Sequence, residues 1–248
     1  MTAEEWGIPT LHPARQAWGL PGPVRKWGSF KRGERVPTVH FYTDDYKFTR
    51  LWHDSSRLVE SLPLIAVEPN FSTYAGMSRA EVLWGIYRKR ELARFWQDSG
   101  IAILVDLNVD PAFRDLSLLG VPEGWNAYAT RIHRGVPFEV VEADHAQAVE
   151  HSGRPDPFFA VFGGGHSARV ACRDRGWPWI PEHRQVVEGR VEAWDEAAQA
   201  AAPGPRAGAP RAEAAGRQVT VMLQQQQSQH HPLDCHPPNV EPPSLPRR

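Results

Sequence analysis

Residues 101–107 read IAILVDL, and a second run, FFAVF, occupies residues 158–162. Each is nearly unbroken apolar text of strand length, the pattern of a strand covered on both faces rather than one half in water. Working outward, shorter strand patterns cover Thr38–Tyr42, Leu64–Val67 and Asn126–Arg131. Helical patterns fall between or after them, over Tyr46–Leu62, Ser78–Ser99, Ala143–His151 and Ser167–Gly176. Alternating strands and helices with short connections predict βαβ units and a largely parallel sheet, hence an α/β domain over residues 36–200. Those roughly 165 residues fall short of a complete eight-unit barrel of about 250. The expectation is an open sheet or a partial, barrel-like arrangement.

The flanks differ in composition. Residues 1–35 are irregular and rich in Gly, Pro, Trp and Arg, with Trp6, Trp18 and Trp27 beside Arg25, Lys26, Lys31, Arg32 and Arg35. They read as an arm laid over the domain and anchored by its tryptophans; the alternative is an arm that touches nucleic acid. Residues 201–248 are dominated by Pro, Ala and Gln and cannot bury enough surface to offset ordering entropy, so a disordered low-complexity tail is expected. His230, His231, Cys235 and His236 have metal-like spacing, but in a proline-broken polar tail they read as adventitious.

The 248 residues carry a net charge of −1 and are 41% hydrophobic, with ten tryptophans. No global field marks the chain for a polyanion or a charged membrane, although local basic patches remain open. Cys172 and Cys235 lie far apart, which argues against a structural disulfide and suits a reducing cytosol. The start, MTAEEWGIPT, lacks the basic and apolar regions of a signal peptide, and no uncharged apolar stretch of about 18 residues occurs. A cytoplasmic protein is expected.

Ligands of parallel α/β sheets bind beyond the carboxyl ends of the strands. Here those ends carry Asp44 and Asp45, then Glu68 with Asn70 and Ser72, then Asp106 with Asn108 and Asp110, then Thr130, Arg131 and His133, then Gly163–Gly165 with His166 and Ser167. One of the paired aspartates suits the N-cap of a helix at Tyr46, leaving the other for a site. An acid inside IAILVDL is costly to bury alone, so Asp106 faces the rim or has a dedicated partner. Alternation puts Asp106, Asn108 and Asp110 on one side of an extended chain. The three glycines form either a tight strand-to-helix turn or, with the helix amides, an anion cradle. In the long helix, Val82, Ile86, Ala93 and Trp96 share a face flanked by Lys89 and Arg90. Arg90 pairs with a buried carboxylate such as Asp45 or Asp106; the rival reading has Arg88 or Arg90 contacting phosphate.

FYTDDYKF, EPNFS and YRKR…FWQDSGIAILVDL, with VFGGG as a later landmark, resemble an uncharacterised bacterial family known as a domain of unknown function and common on phages and plasmids. The resemblance spans roughly residues 36–165. The family's second segment usually reads Pro-Asp-Phe-Ser, so Asn70 departs from it, and the family's third strand carries a proline near the place of Asp106. The resemblance implies a mobile-element setting and supplies no catalytic residue.

These features give two expectations and leave a third open. The first is a nucleic-acid or nucleotide processing enzyme, hydrolytic or phosphoryl-transferring, needing no organic cofactor. In it Asp45, Glu68 and Asp106 hold a divalent cation such as Mg²⁺, Asp44, Asp45 and His166 act in catalysis, and Arg88, Arg90 and Gly163, Gly164 and Gly165 receive phosphate. The second is a non-catalytic DNA-binding or plasmid-replication protein, whose arm and arginine-bearing helix touch phosphates while the carboxylates are structural. A small-molecule hydrolase is the third.

Overall fold

A computed structural model describes residues 3–182. The expectations for the tail, for its His/Cys cluster and for residues 183–200 of the domain concern residues outside those described.

Seven parallel strands form one sheet in strictly sequential order: β1 (Val24–Lys26), β2 (Thr38–His40), β3 (Ile65–Val67), β4 (Ala102–Asp106), β5 (Ala127–Ile132), β6 (Phe158–Gly163) and β7 (Trp179–Ile180). Sequential order means that every crossover advances in the same direction, so right-handed connections put the helices on one face and leave the other concave. The curl is measurable. At about 4.8 Å per strand, β2 and β6 in a flat sheet would lie about 19 Å apart. Yet the rings of His40 and Phe162 are centred 4.9 Å from each other and those of Tyr42 and Phe162 4.7 Å. The sheet is a curled, open partial barrel.

The helices are α1 (Ser56–Val59), α2 (Arg79–Asp98), α3 (Glu139–Ser152) and α4 (Gly165–Asp174). α2 starts at a capping box: Ser78 Oγ accepts from the Glu81 amide while the Glu81 carboxylate accepts from the Ser78 amide. Its apolar stripe, Val82, Ile86, Ala93 and Trp96, is buried as the periodicity requires. Trp96 stacks on Phe41 with centroids 5.3 Å apart and donates to the Ser55 carbonyl at 3.0 Å, tying α2 to β2 and α1.

Three expectations are corrected. The helix over Tyr46–Leu62 is two 3-10 turns, Asp45–Lys47 and Thr49–Trp52, followed by single-turn α1. Local side chains compete with helical bonding there, with Thr49 Oγ1 donating to the Asp45 carbonyl and Ser56 Oγ to Asp54. The arm is not simply draped over the domain: it supplies β1, and Gln16 bridges to Ile103 where β5 has not yet begun. Its anchors are Leu11 and Leu20, buried in the core, and, of the three tryptophans, Trp27, which packs on Phe41; Trp6 and Trp18 are exposed. The run Asp106, Asn108, Asp110 is not extended. β4 stops at Asp106, whose Oδ1 accepts from the Asn108 amide, and Asp110 caps the 3-10 turn Pro111–Leu116 through the Ala112 amide.

Candidate functional site

Parallel register decides which strand-end side chains share a face. Lys26 pairs with His40, Asp106 with Ala129, and Arg131 with Phe162. Since His40 and Phe162 touch across the interior, Lys26, Asp106 and Arg131 belong to the concave face at the carboxyl rim. Glu68, one position past Val67, alternates to the outer face, towards α2.

Asp106 is the floor of this rim. Tyr42 Oη donates to its Oδ1 at 2.9 Å, and the Lys89 ammonium from α2 donates to its backbone carbonyl at 2.9 Å and lies 3.4 Å from Oδ2. All three side chains are buried. Burial raises the Asp106 carboxyl to about 6 although Lys89 pulls it down, and burial lowers the Lys89 ammonium despite its carboxylate partner. The Tyr42 phenol is pushed well above its ordinary value, first by burial and then by the charge of Asp106.

Glu68 and Arg90 form a second buried pair, both with no exposed surface. Arg90 donates to Glu68 Oε2 from Nη1, to the Ser117 carbonyl from Nη2 and to the Leu119 carbonyl from Nε. The Asp106 amide donates to the same Glu68 oxygen at 3.0 Å, joining the two pairs into one layer. Glu68 Oε1 is buried without a hydrogen-bond partner among the described residues.

The sequence-expected site residues therefore part company. Glu68 and Asp106 come together, but each is matched by a buried cation. Arg90 pairs with Glu68 rather than with Asp45 or Asp106, and its full burial removes it from contact with any phosphate in solvent. Neither aspartate of the DD pair caps a helix: Asp44 occupies the N-cap position without a capping bond and pairs with Lys47 at 2.7 Å. Asp45 accepts from the amide and hydroxyl of Ser72 at 3.0 and 2.9 Å. Among the described residues no three His, Cys, Asp or Glu side chains converge as a metal site requires, so Asp45, Glu68 and Asp106 are not gathered as a ligand set. Arg88 lies over Phe71 with its guanidinium 3.9 Å from the ring centroid, within electrostatic reach of Asp45. Gly163, Gly164 and Gly165 all take positive φ and are buried. A Cβ on Gly164 would sit 2.6 Å from both Ala168 Cβ and Ile132 Cγ2, which accounts for glycine by steric fit alone. His166 is exposed on the first turn of α4.

A different surface carries uncommitted charge. A cleft of about 420 Å³ opens between residues 27–32 of the arm and the 3-10 turns after β2. Trp27, Phe30 and Tyr46 supply rings, while Lys31, Arg32, Lys47, Arg50 and Arg57 face the single carboxylate of Glu60. Arg32 is held by Glu60 through two contacts of 2.6 Å, Lys47 by Asp44, and Arg57 lies 3.9 Å from Asp54. The side chains of Lys31 and Arg50 have no ion pair among the described residues. Trp27 Nε1 donates to the Lys47 carbonyl at 3.1 Å and fixes the arm as one wall; Tyr46 is 73% exposed and offers a free face. The signal in the sequence was split between two segments, WGSFKR and YKFTR, that only the fold unites.

The sequence model of a domain of unknown function, DUF4417, matches residues 2–130, just over half of the chain. The match takes in the arm and β1 to β4 with most of β5, starting earlier and ending sooner than the resemblance over residues 36–165. Two curated relatives are both called Gene 1 protein. That of Mycobacterium phage D29 is 30% identical over 132 residues, 50% of this chain and 47% of its own. That of Mycobacterium phage L5 is 29% identical over 132 residues, 50% of this chain and 56% of its own. The chain thus spans about half the length of the curated relatives it matches. No solved structure matches it. Among the described residues no helix is long and apolar enough to cross a membrane.

Proposed function

The chain belongs to the DUF4417 family of unknown function and is phage-type by its relatives, and from that premise we propose that it binds single-stranded nucleic acid in the arm-side cleft. The observation that carries this reading is the cleft itself: three aromatic rings stand beside five cations, of which Glu60, Asp44 and Asp54 engage three and leave Lys31 and Arg50 without an ion pair among the described residues. Proteins that hold single strands combine a basic track for the backbone with rings on which bases stack. The carboxylates that a metal-dependent enzyme would need at the strand ends serve the fold instead, since Glu68 and Asp106 hold Arg90 and Lys89. This favours the binding reading over metal-dependent phosphoryl transfer.

The test is fluorescence anisotropy of a labelled oligothymidine at several salt concentrations. Binding should weaken linearly in log–log terms as salt rises, and Lys31→Ala and Arg50→Ala should each flatten the slope by about 0.7. Tyr46→Ala should cost about 1–3 kcal/mol of affinity through lost stacking. Salt-insensitive binding, or unchanged affinity in the Lys31→Ala/Arg50→Ala double variant, would refute the proposal.

A further inference from the structure

The concave rim holds two cations that neither the fold nor the cleft accounts for. Lys26 ends β1 and Arg131 lies next to the end of β5, and register puts both on the inner face, level with His40 and Phe162. Both are partly buried. Among the described residues neither side chain donates a hydrogen bond or makes an ion pair. They are nonetheless close enough for Arg131 to act on Lys26, whose ammonium is lowered first by burial and then by Lys47, with Asp44 opposing and Arg131 adding to the effect. Asp44 is the carboxylate in reach of both, and it already pairs with Lys47 at 2.7 Å. Among the described residues Lys26, Lys47 and Arg131 are thus three cations around the one carboxylate of Asp44; the Glu182 carboxylate lies at the same strand ends, against Gly163, and acts with Arg131 on His133.

Drawing two cations together and partly out of water is unfavourable unless an anion joins them. Among the described residues no carboxylate forms an ion pair with either side chain, whereas under α2 each buried cation has one. Below them the concave face carries the small side chains Ala129 and Ala160, fully buried beside Phe162, with the buried Asp106 in register with Ala129. A planar guanidinium on such a rim is suited to two oxygens of a tetrahedral anion, with the ammonium taking a third. The carboxyl rim is also where parallel barrels and sheets receive their ligands.

We propose that Lys26 and Arg131 form a phosphate-binding site at the mouth of the partial barrel, separate from the cleft and adjoining it through Lys47. Its ligand is a phosphate monoester group, either free or at the end of a nucleic-acid strand. The site stands on its own geometry. Only the strand-end arm of the test rests on the cleft reading.

The experiment is isothermal titration of the full chain with inorganic phosphate at low ionic strength, with chloride as control. Saturable phosphate binding is expected in the wild type, weakened at least tenfold in Arg131→Met and in Lys26→Met. Thermal midpoints of both variants should stay near the wild type, because neither side chain bonds within the fold. Arg131→Lys, which keeps the charge and loses the planar fork, should be intermediate. The Lys31→Ala/Arg50→Ala variant should bind phosphate as the wild type does, whatever happens to oligothymidine. In a second arm, a 5′-phosphorylated oligothymidine should bind several-fold tighter than its 5′-hydroxyl counterpart, with the increment lost in Arg131→Met. Retained phosphate binding with no such increment assigns the free anion as the ligand. Absence of saturable binding in the wild type, or wild-type affinity in Arg131→Met and Lys26→Met, overturns the proposal.

Discussion

Lysines and arginines meet opposite fates on the two sides of this sheet. Under α2, Lys89 and Arg90 are buried beside Asp106 and Glu68, and their charges are matched. In the cleft and on the concave rim, Lys31, Arg50, Lys26 and Arg131 reach partial or full exposure with no ion pair among the described residues. The α2 layer joins strand ends to a helix and fixes how the half-barrel closes on that side. The open cations contribute nothing comparable to folding. Substitution should therefore separate the two sets, with stability failing in the first and binding in the second.

The largest effect is expected at Arg90. Arg90→Met leaves Glu68 as an uncompensated buried charge and two carbonyls without donors, a loss of about 3–5 kcal/mol in urea or thermal denaturation. Adding Glu68→Gln should recover only part of it, because Ser117 and Leu119 still lack their donor. A variant as stable as the wild type would break the contrast at its root.

Gly164→Ala comes next, at about 2–4 kcal/mol, from a left-handed backbone at φ +74° and overpacking against Ile132 and Ala168. Denaturation midpoints measure it. A stable variant that loses phosphate or oligonucleotide affinity would move the glycine turn from the fold to the ligand side of the comparison.

Asp106 sharpens the contrast through pH. Its carboxyl is raised to about 6 in the folded protein, from an ordinary 3.8, so the native state holds its proton longer than the unfolded chain does. Stability from this group is complete below pH ~4 and declines as pH rises through about 6, by an amount on the order of 3 kcal/mol. Urea denaturation between pH 4 and 7 should show that decline in the wild type and lack it in Asp106→Asn. Identical pH profiles would mean that the Asp106–Lys89 pair is not the source.

The same division sets what could be read from the sequence. IAILVDL and FFAVF announced covered parallel strands because continuous apolar text leaves little else for a short segment to do, and Ser78 with Glu81 announced the start of α2. β1 escaped because Val24–Lys26 carries two cations in three residues and owes its strand state to pairing with β2, a tertiary cause. The sequence marked Lys89 and Arg90 as anomalous beside an apolar stripe, and Glu68 and Asp106 as costly strand-end acids. Which acid met which cation depended on how β3 and β4 stack under α2, and this local patterning does not encode. Asp106 and Tyr42 are 64 positions apart, joined only by the curl of the sheet.

The smallest expected effect falls on the residue that a sequence reading puts nearest to chemistry. Asp45 binds the amide and hydroxyl of Ser72 and so clips the loop after β2 to the loop after β3. Such a partly exposed contact to a charged acceptor is worth about 1 kcal/mol. Asp45→Ala should lose about that much in denaturation, and oligothymidine binding should persist or tighten slightly, because a negative charge has left a basic neighbourhood. Arg50→Ala should do the reverse, leaving stability within about 0.5 kcal/mol of the wild type while binding weakens. Measured side by side, the two variants test the comparison where the segments lie closest, five residues apart in one stretch of chain. If Asp45→Ala abolishes binding while the protein stays folded, the acid belongs to the ligand site and the division between structural carboxylates and ligand-facing cations fails there.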